Sequence, residues 1–232
     1  VARAAAMIAS GRADAVLVVC MDLVSEFVFS GFSSLQALDP AGCRPFDRNR
    51  NGLSLGEGGA ALLMMSAETA RGKGIRGIGS VVGWGAANDA THVTAPARDG
   101  CGLIQAVRRA IAKASIGPDD IAAISAHGTG TVYNDSMEST AFEAVFGSRR
   151  IPLNSIKGAI GHTLGAAGGI EAAIGLRSLA DRTLPPTAGF GEPMEQCGFP
   201  VSPLPQPIDG IYLPSTNSGF GGINAALILK GN

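Results

Sequence analysis

The sequence predicts an α/β protein in which a largely buried sheet lies between helices. Short continuous apolar runs, typical of strands covered on both faces, alternate with helical segments along the whole chain. Hydrophobic residues make up 46% of the chain and charged residues 16%, which is typical of a globular protein with a generous core. A chain of 232 residues can form one large domain or two small ones.

The first 74 residues are predicted to alternate between helix and strand. Two continuous apolar runs are interpreted as strands buried on both faces, and two helices end at glycines, which favour the turn after a helix. In chain order the elements are the helix Val1–Ser10, the strand Ala15–Cys20, the loop Asp39–Asn51, the strand Ala60–Met65 and the helix Ala67–Lys73.

The rest of the chain has the pattern of a fresh start from Gly77. Its predicted elements are the strand Gly77–Gly85, the helix Leu103–Ser115, the strand Ile121–Ser125, the helix Ser136–Phe146, the strand Ile151–Asn154, the helix Gly168–Ala180 and the strands Ile211–Pro214 and Ala225–Leu229. We therefore predict two units, residues 1–74 and 75–232, with no long linker between them.

Charge and cysteine usage narrow the classes of partner and compartment. The net charge is −1 and no Lys/Arg cluster is present, so nucleic acid is not an expected partner. Neither a membrane-spanning apolar run nor a signal peptide is visible, and no membrane partner is expected. Four scattered cysteines without a C-x-x-C pair indicate a reduced, cytoplasmic protein. Because the chain begins at Val1 inside a predicted helix, we expect a truncated or processed sequence.

Two of the three histidines lie in glycine-bounded turns. His127 stands in HGTGT directly after a predicted strand, and His162 stands in KGAIGH. Ligand sites of α/β sheets form at the carboxyl ends of strands. Either histidine alone is more often structural, but two in matching contexts favour chemistry. His92, in DATHVTAP, is interpreted as a loop residue.

A lysine and three acidic residues accompany these histidines. Lys157 lies in an apolar segment five residues before His162. If it is buried it needs a carboxylate partner, for which Glu171 is the candidate, whereas a surface lysine is the alternative. Asp135 and Glu138 follow His127 at the start of the next helix.

Two glycine clusters allow more than one interpretation. Gly165–Gly169 lacks the spacing of a phosphate-binding loop, and its small residues more simply let a helix start close to another backbone. Asn217–Asn224 packs three glycines around Phe220. This pattern indicates either backbone amides turned toward a pocket or a bulged strand end beneath a packed phenylalanine.

Four ordered motifs resemble those of β-ketoacyl synthases. HGTGT at His127, followed by Asn134-Asp135-x-x-Glu138, resembles the first histidine motif of that family, and the segment from Lys157 to His162 resembles the second. The linking loop and the closing strand are matched by R-P-F-D with G-E-G, and by G-F-G-G-x-N, at residues 44–47, 56–58 and 219–224. The resemblance extends over the whole chain.

The resemblance implies a thiolase-like fold, a five-layered αβαβα sandwich built from two similar halves. This chain would hold the tail of the first half, to about Gly74, and the complete second half. The family's nucleophilic cysteine would fall shortly before Val1, and none of Cys20, Cys43, Cys101 and Cys197 has its context. This fragment alone is therefore expected to be inactive.

The chemistry implied is a decarboxylating Claisen condensation of an acyl thioester with malonyl-carrier protein. By resemblance, His127 and His162 act as neutral hydrogen-bond donors to a thioester oxygen, and the N–H of Phe220 completes a second oxyanion hole. Lys157 and Glu171 would form a supporting ion pair. The further residues implied are the supporting carboxylates and the lining or gate of the pocket: Asp135, Glu138, Thr129, Thr131, Ser218, Gly219, Phe220 and Gly221. Ser218 stands where the family has a phenylalanine, which affects acyl preference.

No metal or cofactor is implied. The implied partners are an acyl carrier protein bearing acyl and malonyl phosphopantetheine thioesters, and a second copy or a related synthase in a homodimer or heterodimer. Fatty acid biosynthesis is the expected pathway. A polyketide-type ketosynthase, which shares every motif, and a non-catalytic partner subunit of the chain-length-factor kind remain alternatives, although intact histidines disfavour the latter.

Overall fold

The computed structural model describes all 232 residues, which form seven α-helices and nine β-strands. The helices are α1 (Ala2–Ala9), α2 (Glu26–Ser34), α3 (Ala67–Gly72), α4 (Cys101–Ala114), α5 (Val132–Phe146), α6 (Lys157–Ile160) and α7 (Ala167–Asp181). The strands are β1 (Ala15–Asp22), β2 (Gly58–Met65), β3 (Ser80–Asn88), β4 (Ile124–Ser125), β5 (Leu153–Asn154), β6 (Thr183–Leu184), β7 (Gln206–Pro207), β8 (Tyr212–Gly219) and β9 (Ile223–Lys230).

Five strands form one mixed sheet in the order β3-β9-β8-β4-β5. β3, β9 and β8 are antiparallel neighbours, whereas β8, β4 and β5 run parallel. On one face α4 and α5 enclose a core that includes Leu103, Phe142 and Ile228, all fully buried. Because β4 and β5 run parallel, the segments that carry His127 and Lys157 leave the sheet at the same edge.

Helix α7 lies between two sheets. It packs on β8 and β9 of the five-stranded sheet and on β1 and β2 of a separate antiparallel pair. The approach is close at its first turn, since a Cβ added at Gly169 would lie 2.9 Å from both Cβ and Sγ of Cys20. The small residues at 165–169 thus let the helix start close against β1. The result is four successive layers: α4 with α5, the large sheet, α7, and the β1–β2 pair.

The β1–β2 pair corrects one prediction. Both strands occur where they are expected, but neither is buried on both faces. Along β1 every second residue is exposed, and so is Leu63 of β2, which pairs with Leu17. These exposed apolar side chains form an outer face: Leu17, Val19, Met21 and Leu63. The physical reason is that α7 and α1 pack against the pair, whereas the side chains of the outer face remain exposed.

Other differences concern elements that the sequence pattern hides. α2 was not predicted, although the side chain of Ser25 caps it by accepting the Val28 N–H at 3.2 Å. α5 begins at Val132 rather than Ser136, β8 continues to Gly219, and α6 and the β6–β7 pair are additional. β4 has only two residues, and Ile121, the predicted start of this strand, forms an isolated bridge with Tyr212 outside it. No helix combines the length and apolar character that a membrane span requires.

Candidate active site

His127 is held by its backbone. It follows β4 and precedes α5, and Glu138 of α5 accepts the N–H groups of His127 at 2.7 Å and of Gly128 at 2.6 Å. Gly128 has φ +42°, and a Cβ there would lie 2.4 Å from the Cβ of Ser155, so only glycine fits. One buried carboxylate thereby fixes the turn that presents the first histidine.

Glu138 is fully buried and surrounded by donors. Besides the two N–H groups it accepts hydrogen bonds from Nδ2 of Asn134 at 2.9 Å and from the hydroxyl of Thr216 at 3.2 Å. Burial, with the nearby charge of Asp135, raises the pKa of Glu138 to about 7. Glu138, which was predicted as a supporting residue, thus contacts the histidine turn itself.

Asp135 supports a different segment. Its carboxylate accepts the N–H of Phe46 at 2.8 Å and lies 3.9 Å from Nε of Arg50. Burial raises the pKa of Asp135. Asp135 does not line the cavity described below; it fastens the 39–51 loop, which packs beside the histidine turn, to α5.

Lys157 is buried and fully matched by acceptors. Its Nζ donates to Oε1 of Glu171 and to the carbonyl of His127, and it lies 3.3 Å from Nδ1 of His127. An ammonium has three hydrogens, and three acceptors are present. The predicted pairing of Lys157 with Glu171 is confirmed, and the alternative of a surface lysine is wrong.

Glu171 reaches Lys157 from α7. Its second oxygen accepts a hydrogen bond from Nδ2 of Asn217 at 2.6 Å, so both carboxylate oxygens are satisfied. Burial raises the pKa of Glu171, and the charge of Lys157 opposes that rise. Asn217, at the end of β8, was part of a predicted motif but received no role, because the sequence does not reveal that β8 extends to it.

His162 lies between α6 and α7 rather than at a strand end. Its N–H donates to the carbonyl of Ser54 at 2.7 Å, and its carbonyl accepts the N–H of Gly56 at 3.1 Å. Its Nδ1 accepts the N–H of Leu164 at 3.3 Å. The ring is therefore fixed from the linking loop on one side and from the start of α7 on the other.

The two imidazoles form a perpendicular pair whose ring centroids are 5.1 Å apart at 83°. Burial, with the charges of Lys157 and His162, lowers the pKa of His127 well below its usual value. Burial and the same lysine lower the pKa of His162 to about 3. Both rings are neutral near pH 7, and because both Nδ1 atoms face donors, each ring carries its hydrogen on Nε2.

Both histidines line a cavity of about 670 Å³. Of the residues predicted for its lining or gate, all but one reach it: Thr129, Thr131, Ser218, Gly219 and Phe220. The exception is Gly221, whose N–H donates to the carbonyl of Val93 at 2.6 Å, and Gly222 lines the cavity in its place. Phe220 is half-exposed in the β8–β9 turn, where its ring stacks on Phe32 at 5.7 Å.

The remaining chemistry-bearing residues lie elsewhere. All four cysteines are free, and none lines the cavity. Burial raises the pKa of Cys43 to about 12, which leaves its thiol protonated. His92 is an exposed loop residue, as predicted, and its Nδ1 accepts the N–H groups of Thr94 and Ala95. No group of His, Cys, Asp and Glu side chains is arranged to hold a metal ion.

Comparison with known proteins points to one family. The family model "Beta-ketoacyl synthase, N-terminal domain" matches residues 1–70, and the model "Beta-ketoacyl synthase, C-terminal domain" matches residues 78–191. The chain is 36% identical to 3-oxoacyl-[acyl-carrier-protein] synthase 2 of Staphylococcus aureus over 229 residues, which are 95% of this chain and 57% of that protein. It therefore spans little more than half the length of this relative.

Solved structures agree. The ishigamide ketosynthase/chain length factor matches with a TM-score of 0.94 at 35% identity, covering 100% of this chain and 57% of that one. A type II PKS acyl-carrier protein in complex with its ketosynthase, bound to the hexaketide, matches with a TM-score of 0.94 at 29% identity, covering 100% and 59%. The predicted thiolase-like α/β fold is confirmed.

Proposed function

The chain belongs to the β-ketoacyl synthase family, and we propose that the protein carrying it condenses an acyl thioester with malonyl-carrier protein. Malonyl thioester loses carbon dioxide, the resulting carbanion attacks the carbonyl of an acyl-cysteine, and the cysteine thiolate leaves. The product is a β-ketoacyl thioester on the carrier protein. The function is supported most by the perpendicular pair of neutral histidines in the cavity.

The histidine pair suits the decarboxylation step. Loss of carbon dioxide places negative charge on the thioester oxygen, and fixed donors aimed at that oxygen lower the barrier. The Nε2–H groups of His127 and His162 are such donors. Their depressed pKa values matter, because imidazolium would add a mobile proton that can quench the carbanion.

Lys157 and Glu171 position the pair. Lys157 occupies Nδ1 of His127 and so fixes the tautomer, while Glu171 balances its charge inside the protein. Glu138 holds the turn from the other side. We assign Asp135 the more distant role of fastening the neighbouring loop.

The cavity lining receives the substrate in this proposal. The backbone N–H of Phe220 would act as an oxyanion donor for the acyl carbonyl, and its ring would gate the acyl pocket. The hydroxyls of Thr129 and Thr131, 2.8 Å apart, would bind the amide groups of the pantetheine arm. Because no cysteine lines the cavity, this chain's own residues support decarboxylation and positioning, and the chain by itself would not form an acyl-enzyme.

Partners and compartment follow from the same assignment. The proposed partners are an acyl carrier protein with its phosphopantetheine thioesters and a second synthase subunit, in a homodimer or heterodimer. Free cysteines agree with a reducing cytoplasm. A division of the chain near residue 74 remains our proposal for its two units.

The proposed function is tested with His162→Ala in the protein that carries this sequence. Release of carbon dioxide from malonyl-carrier protein should fall about 10²–10³-fold, the usual effect of removing one oxyanion donor. Lys73→Ala is the control, since this residue is exposed and lies outside the cavity, and it should leave the rate unchanged. An undiminished rate after His162→Ala would show that the assigned role is wrong.

A polyketide ketosynthase is the second candidate, favoured by the match to the ketosynthase bound to a hexaketide. Product analysis with defined acyl-carrier proteins separates it from a fatty acid enzyme. A non-catalytic partner subunit is the third, and the complete histidine pair disfavours it.

A further inference from the structure

Ser218 and Asn224 form the last pair but one of the β8–β9 hairpin before its turn. The two residues are directly opposed in the strand register. The Ser218 hydroxyl donates to Oδ1 of Asn224 at 2.7 Å, and Nδ2 of Asn224 donates to the carbonyl of Gly222 at 3.0 Å. The hydroxyl of Ser218 is therefore occupied within the hairpin and is not a free donor for a ligand.

The same residue is part of the cavity wall. Ser218 lines the cavity together with both histidines and with Phe220, two residues further along the turn. A serine that is tied back to the opposite strand leaves the wall recessed there. A large side chain at 218 would both lose the bond to Asn224 and fill space in front of the histidine pair.

Part of the same cavity wall is aromatic. Phe32 and Phe220, which both line the cavity, stack with their rings 29° from parallel. Leu35 adds to the apolar surface. Aromatic walls favour flat, unsaturated groups, which stack on them with offset or edge-on geometry.

We propose that Ser218 is a specificity-determining residue that keeps the cavity wide beside the histidine pair, so that it takes acyl groups that are broad and flat next to the thioester as well as straight chains. The inference rests on the proposed function, because it treats the cavity as the acyl-thioester site. The substrate class assigned is aromatic or conjugated acyl thioesters.

The test is calorimetric titration of the purified protein that carries this sequence with two non-hydrolysable probes, the amide analogues of benzoyl-pantetheine and hexanoyl-pantetheine. The unaltered chain should bind both. Ser218→Phe should weaken the benzoyl probe about tenfold, the usual size of an overpacking effect, and the hexanoyl probe at most about threefold. Ser218→Ala is the matched control: it loses the hydroxyl without adding volume and should keep the benzoyl probe.

The possible results separate the inference from its premise. If the unaltered chain binds neither probe, the proposed function fails and the inference fails with it. If it binds both but Ser218→Phe leaves the ratio of the two affinities unchanged, the inference alone is overturned. Loss of benzoyl binding in Ser218→Ala would overturn it too, because the hydroxyl and not the width would then decide. Circular dichroism of each variant confirms that it is folded.

Discussion

The two sheets of this molecule share one helix but differ in how they are covered. The five-stranded sheet has α4 and α5 on one face and α7 on the other, with residues such as Phe142 and Leu213 fully buried. The β1–β2 pair is covered by α7 and α1, but its outer face is open, and Leu17 there is 63% exposed. The same kind of apolar strand therefore contributes very differently to stability in the two regions.

This difference explains where the site lies. The groups that hold the histidines come from the covered region: Glu138 from α5, Asn217 from β8, and Glu171 from the helix between the sheets. Charged groups can be buried there because each finds donors or a counter-ion. The β1–β2 pair contributes support for α7 rather than chemistry.

The largest effect is expected from a void created in the core between the five-stranded sheet and the helices α4 and α5. Phe142→Ala should lower the free energy of unfolding by about 3–5 kcal/mol, because a fully buried aromatic side chain leaves a void. Leu17→Ala, on the outer face, should change it by no more than about 0.5 kcal/mol. Urea titration of both variants measures the contrast, and equal losses would contradict it.

Breaking the buried ion pair should be nearly as costly. Glu171→Gln leaves the charge of Lys157 buried without a partner, and we expect a loss of roughly 3 kcal/mol in the free energy of unfolding. The double variant Lys157→Met with Glu171→Leu should recover much of it, since no uncompensated charge remains. If the double variant is less stable than the single one, packing and not charge determines the cost.

A smaller effect should appear on acidification. The pKa of His162 falls from an ordinary 6.5 to about 3 on folding, so below pH 6.5 the unfolded chain binds a proton that the folded one does not. The stability that depends on a neutral His162 is therefore fully present above about pH 6.5 and is lost as the pH falls toward 3. Relative to His162→Gln, the unaltered chain should lose about 2 kcal/mol between pH 7 and pH 5. Parallel urea titrations at both pH values would refute this if the two proteins lost the same amount.

The smallest effect on folding is expected at the outer face, where association is the better measurement. Val19→Lys should leave the free energy of unfolding within about 0.5 kcal/mol but shift the chain toward the monomer in sedimentation velocity, because exposed apolar patches promote association. Leu204→Lys, an exposed apolar residue away from this face, serves as control and should not shift it. If both variants sediment identically, the outer face is not the cause of association.

Much of this could be predicted from local pattern. Glycine-bounded turns at His127 and His162 and a lysine in an apolar segment are local signals, and the structure brings all three residues together. The pairing of Lys157 with Glu171 was predicted because a buried charge needs a partner. These inferences depend on chemistry that holds wherever the residues lie.

What was missed depends on contacts between distant segments. An apolar run predicts a strand but not whether both faces are covered, so the exposure of β1 and β2 was mispredicted. The helical start of α2 depends on the Ser25 cap, within a stretch rich in phenylalanine and serine, which lower its helix propensity. Phe32 of α2 reaches the cavity only through tertiary packing against Phe220.

The placement of α7 links the chemistry to the spacing of the two sheets. Its first turn touches Cys20 of β1 and its next turn carries Glu171, which holds Lys157 and through it the ring of His127. A displacement of β1–β2 by one ångström would thus lengthen hydrogen bonds in a site to which these strands contribute no functional side chain. If the proposed function is right, catalysis therefore requires that the two sheets stay at a fixed separation.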